Sequence, residues 1–134
     1  TMNDYGRFSQ MLVNRGELNG VRILKPETLD LMTTDVLPEG AVLSEAGMNS
    51  GELYPGFGMG LTVGTVEEPE AVPSVIPAGA FFWSGAASTW FWIDPVNELY
   101  FIGMVQVFDN NNPNGPLELR ETSSKAIYSA LSSE

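Results

Sequence analysis

The first part of the chain carries apolar residues at helical spacing. The apolar positions that repeat every three to four residues are Tyr5, Phe8, Met11 and Leu12. This period predicts an amphipathic helix over residues 2–14, and Thr1 with Asp4 fits a capping box at its start. The pair Asn19-Gly20 predicts a tight turn, because both residue types tolerate positive φ angles. Pro26 then begins a second, shorter helix that ends near Thr34.

From Phe57 onward the hydrophobic period changes from helical spacing to two. Bulky apolar residues alternate with glycine or threonine from Phe57 to Val63, which predicts one strand. Two aromatic strands follow at residues 81–83 and 89–93, on either side of a small-residue turn. Over residues 99–106 both alternating sets of side chains are apolar, which predicts a central strand covered on each side.

The remaining segments have the composition of loops, except for the last. Residues 35–53 and 67–77 are rich in proline, glycine and acidic residues, and residues 109–115 are polar. We interpret the acids Glu67, Glu68 and Glu70 as a solvated turn and not as a metal site. A final helix begins at Pro116. The order of elements predicts a single α+β segment over residues 1–134, with antiparallel strands packed against an N-terminal helix pair and a C-terminal helix.

Composition excludes several classes of function. The 134 residues include no histidine and no cysteine, so the chain has neither an imidazole base nor a thiol nucleophile. Its 6 basic and 17 acidic residues give a formal net charge of −11. Without a basic cluster, neither a nucleic acid nor an anionic membrane is expected as a partner. No apolar run approaches the roughly 20 residues of a membrane-spanning helix. The absence of cysteine leaves the redox compartment open.

A set of short motifs, in a consistent order, suggests a protein family. They are Thr1 to Phe8, Gly16-Glu17-Leu18-Asn19-Gly20, Leu24 to Thr28, Gly56-Phe57-Gly58-Met59-Gly60, Phe82-Trp83-Ser84-Gly85-Ala86 and Trp92-Ile93-Asp94-Pro95. Together they resemble the C-terminal half of the serine β-lactamase and penicillin-binding-protein-like hydrolases. The resemblance is greatest to the class C-like branch that includes the family VIII carboxylesterases, and it extends over nearly the whole chain.

The resemblance implies that Trp83-Ser84-Gly85 occupies the position of the family's third motif, K-T-G or a variant. Trp83, Ser84 and Gly85 would then contact substrate, and the backbone amide of Ala86 would donate to the oxyanion. Trp83 in place of lysine supplies an aromatic surface and no fixed positive charge, which favours ester cleavage over β-lactam turnover. The implied mechanism is acyl transfer through a covalent acyl-enzyme, with no metal or other cofactor. A glycine-relieved turn between two aromatic strands is the simpler explanation of the same residues.

The nucleophile of such an enzyme is missing from this chain. No serine is followed three residues later by lysine, and no tyrosine is followed two residues later by asparagine. In the family both motifs lie upstream of the matched segment. We therefore expect the chain to be a C-terminal part of a hydrolase whose upstream segment, or partner chain, carries the S-x-x-K and Tyr motifs. Its substrate would be a small ester or amide.

Two alternatives stay open on the sequence alone. The chain belongs either to a non-catalytic β-lactamase-like protein that binds peptide or peptidoglycan, or to a self-contained acidic interaction domain. In the second alternative the aromatic residues around the turn form only a core. Those residues are Phe81, Phe82, Trp83, Trp90, Phe91 and Trp92.

Overall fold

The predicted N-terminal helix pair is present in the computed structural model, which describes residues 1–39, 41, 56–72, 74–85, 87–107 and 115–133. Helix α1 spans Met2–Val13, and the Asp4 amide donates to Thr1 Oγ1 at 3.3 Å, which completes the expected capping box. Helix α2 spans Pro26–Thr33. Between the two helices, β1 (Glu17–Leu18) pairs with β2 (Val21–Arg22). The turn residues Asn19 and Gly20 have φ angles of 52° and 78°, as their sequence predicts.

A five-stranded antiparallel meander forms the centre of the fold. Its strands, in both chain and spatial order, are β3 (Phe57–Met59), β4 (Gly64–Val66), β5 (Phe81–Ser84), β6 (Trp90–Asp94) and β7 (Leu99–Gly103). Helix α3, Gly115–Leu131, follows the sheet. The fold is therefore α+β, as the sequence predicts.

The prediction of one strand from Phe57 to Val63 is wrong. Only Phe57–Met59 form a strand, β3, and residues 60–63 form the turn that leads into β4. In this turn the Gly60 amide donates to the Val63 carbonyl at 2.8 Å, and the Leu61 amide donates to the Met32 carbonyl of α2 at 3.0 Å. Strand β3 therefore ends where the chain contacts α2, although the alternation of residue types continues in the sequence.

The predicted central position of residues 99–106 is also wrong within the described residues. Strand β7 covers only Leu99–Gly103 and lies at one edge of the sheet, paired with β6 alone. The apolar residues on both of its faces are explained by the helices. Ile102 packs with the cluster that contains α1, and Phe101 packs with the cluster on the α3 side.

The sheet separates two hydrophobic cores, and β6 contributes to both. Phe91 and Ile93 face α1 and α2, where they join Met11, Leu12 and Leu29. On the opposite face, the buried Trp90 and Trp92 lie in a second cluster that includes Ile127 and Tyr128 of α3. Trp92 stacks on Tyr128 with ring centroids 5.6 Å apart. Most side chains of the two aromatic strands therefore lie in the hydrophobic cores, as the alternative of a self-contained interaction domain requires.

A buried carboxylate joins α3 to the sheet. Asp94 ends β6 with no exposed surface, and its Oδ1 accepts from the amides of Val96 and Asn97 at 2.9 and 3.0 Å. Its Oδ2 accepts from Asn97 Nδ2 at 2.6 Å and from the Tyr128 hydroxyl at 2.7 Å. Burial, followed by the hydrogen bond to Asp94 and the negative charge of that carboxylate, raises the pKa of Tyr128 far above its ordinary value. Tyr128 therefore keeps its proton and acts as a donor.

Several predicted loops lie partly outside the described residues, including 42–53 of the first loop and 109–114 of the last. The acidic turn contains a short 3-10 helix, Pro69–Ala71, and its three glutamates are exposed. In the part of the chain that the structure describes, no group of three or more acidic side chains is placed to hold a metal ion. No helix in the same part is long and apolar enough to cross a bilayer.

Candidate active site

The residues predicted to form the third motif lie at the end of β5, where the chain turns into β6. Pairing places Trp83 opposite Phe91 and Ser84 opposite Trp90. Trp83 therefore lies on the α1 side of the sheet, where 39% of its surface is exposed, and Ser84 lies on the α3 side and is half-buried. Gly85 follows the strand and is exposed. Ala86, the predicted oxyanion donor, lies outside the described residues.

Hydrogen bonds fix the connection between β5 and β6. The Gly85 amide donates to the Thr89 carbonyl at 2.8 Å, and the Gly85 carbonyl accepts from the Ser88 amide at 2.9 Å. Ser88, whose φ angle is 68°, donates through its hydroxyl to the Val107 carbonyl at 2.8 Å. Because the Gly85 N–H is already engaged, it is not available to stabilise an oxyanion at this turn.

A pocket of about 370 Å³ opens beside this connection. Ser84, Gly85 and Thr89 form its polar part, and residues of α1, β5, β6 and β7, with Met104 after β7, form the rest. The apolar and small residues that line it are Tyr5, Trp83, Trp90, Phe91, Ile102, Gly103 and Met104. The structure thus brings Trp83, Ser84 and Gly85, the described residues of the predicted motif, into one concave site of the size that accepts a small molecule.

The electrostatics of the pocket favour an uncharged ligand. Tyr5 is the one ionisable residue among the described residues that line it. Burial raises the pKa of the Tyr5 phenol, so this group is neutral at physiological pH and does not serve as a base. Ser84 therefore has no side-chain base in the described lining.

One buried donor in the pocket wall is unpaired. Trp90 is 8% exposed, and its indole Nε1 has no hydrogen-bond partner among the described residues. Buried N–H groups are usually paired, because an unpaired one retains the cost of its desolvation. A ligand acceptor that reached this nitrogen would remove that cost.

Sequence reasoning missed the pocket residues that come from other elements. In the sequence, Tyr5 is marked only as part of the apolar face of the first helix. In the structure, its ring packs edge-on against Phe91, with the ring centroids 5.3 Å apart. Met104 had no distinguishing signal. Gly103 offered one, since a glycine within an otherwise bulky strand marks a close approach. It lies opposite Trp90 in the sheet.

Comparison with known proteins shows relatives in sequence and in fold. No protein family model matches the chain. Two proteins from strains of Mycobacterium tuberculosis, the uncharacterized protein MT1414 and protein Rv1367c, are each 35% identical to it over 109 residues. Each alignment covers 79% of this chain and 27% of the relative. The chain therefore spans about a quarter of the length of the curated relatives that it matches.

Among solved structures, the chain is similar to EstCE1, described as a hydrolase with promiscuous acyltransferase activity. The superposition has a TM-score of 0.56 at 22% identity, and it covers 84% of this chain and 26% of that protein. The chain therefore shares its fold with a part of this hydrolase.

Proposed function

We propose that this chain forms one wall of the active site of a serine hydrolase that acts on small esters or amides by acyl transfer. The observation that carries the proposal is the pocket at the end of β5, which gathers Trp83, Ser84 and Gly85 around a concave, mostly apolar space. The motif resemblance and the fold shared with EstCE1, itself a hydrolase with acyltransferase activity, support it.

In this proposal the nucleophile comes from polypeptide outside residues 1–134. A serine activated by a lysine attacks the substrate carbonyl, and a negative charge develops on the carbonyl oxygen. Backbone N–H groups stabilise that oxyanion at about 2.7–3.1 Å. The resemblance to the family assigns one donor to the Ala86 amide and the other to the amide of the nucleophile itself. The Gly85 amide is engaged with the Thr89 carbonyl.

The lining of the pocket suggests which substrates fit. Trp83 offers an aromatic surface where the related motif has lysine, and the described lining contains no permanent charge. An anionic substrate would be desolvated there without a compensating cation. An uncharged ester is therefore the better match, and Ser84 contributes a hydrogen bond to it.

A serine-reactive fluorophosphonate tests the proposal. The protein is purified under native conditions with whatever polypeptide accompanies it, exposed to the reagent, and analysed by intact mass spectrometry. We expect the accompanying polypeptide to gain the adduct and residues 1–134 to remain unmodified. An adduct on this chain would contradict the assignment of the nucleophile. No adduct at all would favour the non-catalytic binding protein.

The variant Gly85→Val tests the assigned wall of the pocket. A Cβ atom at this position would lie 2.9 Å from Thr89 Oγ1, and the branched side chain would enter the space beside Ser84. We expect kcat/KM for a small ester to fall at least tenfold in the reconstituted hydrolase, equivalent to about 1.4 kcal/mol of lost transition-state stabilisation.

The matched control is Ala126→Val, on the exposed surface of α3. Both variants add a branched side chain, but only Gly85→Val places it in the pocket, so the control should retain its turnover. Unchanged turnover in a folded Gly85→Val protein would remove this turn from the active site.

A further inference from the structure

Thr89 brings a second hydroxyl group to the candidate pocket. It directly precedes β6, is half-buried, and lines the pocket together with Ser84 and Gly85. A Cβ atom at Gly85 would lie 2.9 Å from Thr89 Oγ1, so this oxygen lies beside the backbone of the predicted motif. Among the described residues, no side-chain hydrogen bond engages the Thr89 hydroxyl. The group is therefore available to a ligand in the pocket.

The backbone on either side of this hydroxyl is held in place by hydrogen bonds. The Thr89 carbonyl accepts from the Gly85 amide at 2.8 Å, and the Gly85 carbonyl accepts from the Ser88 amide at 2.9 Å. The Ser88 hydroxyl donates to the Val107 carbonyl at 2.8 Å, and the Val107 amide donates to the Ala87 carbonyl at 3.3 Å. A polar group held this firmly binds a ligand at a small cost in conformational entropy.

The backbone of Ser88, directly before Thr89, has an unfavourable conformation. Its φ angle of 68° lies in the left-handed region, which disfavours residues other than glycine. The other described non-glycine residues with positive φ, namely Arg15, Asn19 and Glu98, are exposed, whereas Ser88 is buried. Strain of this kind persists only where the surrounding structure enforces it, and it is concentrated at binding and catalytic sites. The strained turn supports a role for Thr89 in binding.

The pocket lining limits what the Thr89 hydroxyl can bind. The described lining contains no permanent charge, so an uncharged partner is favoured. A hydroxyl group donates to an ether or carbonyl oxygen, and it both donates to and accepts from another hydroxyl. A hydrocarbon group in the same place would remove water from the Thr89 hydroxyl and would supply no hydrogen bond in return.

We infer that Thr89 selects uncharged esters that carry a further oxygen group, an ether, hydroxyl or carbonyl, by forming a hydrogen bond with it. The inference rests on the proposed function, in which Ser84 contributes a separate hydrogen bond to the substrate. A site that hydrogen-bonds a polar substrate group discriminates against the analogue that lacks the group, because its own polar atom is then left unpaired. Thr89 is therefore a specificity-determining residue of the pocket.

Two pairs of esters test the inference, and the members of each pair differ by one oxygen atom in place of a methylene group. The acyl pair is para-nitrophenyl methoxyacetate and para-nitrophenyl butyrate, and the alcohol pair is methoxyethyl acetate and butyl acetate. The oxygen preference is kcat/KM for the ether ester divided by kcat/KM for its hydrocarbon counterpart. Comparing this ratio between two proteins cancels the intrinsic reactivities of the esters.

The variant is Thr89→Val, which keeps a branched side chain of similar shape and removes the hydroxyl. We expect the oxygen preference of the reconstituted hydrolase to fall about fivefold in at least one of the two pairs, the loss that one hydrogen bond of ordinary strength implies. Thermal unfolding of the variant establishes that it is folded.

Two control variants separate the hydroxyl from other effects of substitution. Thr62→Val makes the same chemical change in the exposed turn between β3 and β4, outside this pocket, and should leave the oxygen preference unchanged. Thr89→Ser keeps the hydroxyl and should retain the preference of the wild-type protein. A purely structural role of Thr89 would lower kcat/KM equally for both members of a pair and would leave their ratio unchanged.

The possible outcomes distinguish this inference from the proposed function. Hydrolysis of the esters with an unchanged oxygen preference in folded Thr89→Val would keep the hydrolase and reject the role of Thr89. An equal loss of preference in Thr89→Ser would also reject it, because the hydroxyl would then not be responsible. Failure of the wild-type protein to hydrolyse any of the four esters would reject the proposed function, and this inference with it.

Discussion

The substitution Asp94→Ala should lower the free energy of unfolding by about 4 kcal/mol, because it removes a buried carboxylate and leaves the hydrogen-bond donors around it unpaired. Asp94 has no exposed surface and accepts four hydrogen bonds, at 2.6–3.0 Å. Its removal leaves the amides of the turn after β6 and the Tyr128 hydroxyl without an acceptor. Urea denaturation at pH 7, followed by far-ultraviolet circular dichroism, measures the change.

The control for this prediction is Glu70→Ala, which removes an exposed carboxylate and should cost less than about 0.5 kcal/mol. The variant Tyr128→Phe removes one donor and keeps the aromatic ring stacked on Trp92, so we expect a smaller loss of about 1.5 kcal/mol. A loss below about 1 kcal/mol in Asp94→Ala would mean that this carboxylate does not anchor α3 to the sheet.

The substitution Gly103→Ala should cost about 3 kcal/mol of stability because of steric overlap in the core. A Cβ atom at Gly103 would lie within 2.5 Å of Trp90 Cε2 and Cη2. The rigid indole is 8% exposed and lies against the second core, so it has little room to move. Thermal unfolding measures the change, and near-ultraviolet circular dichroism reports any displacement of Trp90.

Gly79→Ala is the comparison for Gly103→Ala. A Cβ atom at Gly79 meets nothing within 4 Å, although its φ of 81° is unfavourable for alanine. We expect a cost of about 1 kcal/mol from this backbone conformation alone. If Gly103→Ala cost no more than Gly79→Ala, the close approach of β7 to Trp90 would be incorrect.

Elements that depend on neighbouring residues were predictable from the sequence. The capping box of α1, the Asn19-Gly20 turn and the Pro26 start of α2 all involve side chains a few positions apart. The hairpin of β3 and β4 was not predictable in this way. Its turn is held by the bond from the Leu61 amide to the Met32 carbonyl, a contact between segments that are distant in sequence. Alternation within residues 57–63 carries no information about that contact.

Only the residues of the candidate site at the end of β5 were predictable from the sequence. Trp83, Ser84 and Gly85 are adjacent in sequence, so a motif was sufficient to place them together. The opposite wall contains Tyr5 from α1 and Met104 after β7, which reach the pocket only through the packing of α1 on the sheet. The edge position of β7 was missed for a related reason, because helices on both faces produce the same apolar pattern as neighbouring strands do.

The buried carboxylate at the end of β6 also selects one alignment of the sheet over its alternatives. Strand β6 is buried on both faces. If its pairing with β7 shifted by one residue, Trp90 and Trp92 would exchange faces with Phe91 and Ile93, and the strand would still bury apolar side chains on both faces. Hydrophobicity alone therefore discriminates poorly between these alignments. In the slipped form the carboxylate of Asp94 would point to the opposite face of the sheet and would lose its hydrogen bond from Tyr128. The desolvation of one charge thus penalises mispairing, and Asp94 specifies which partner residues the two strands accept.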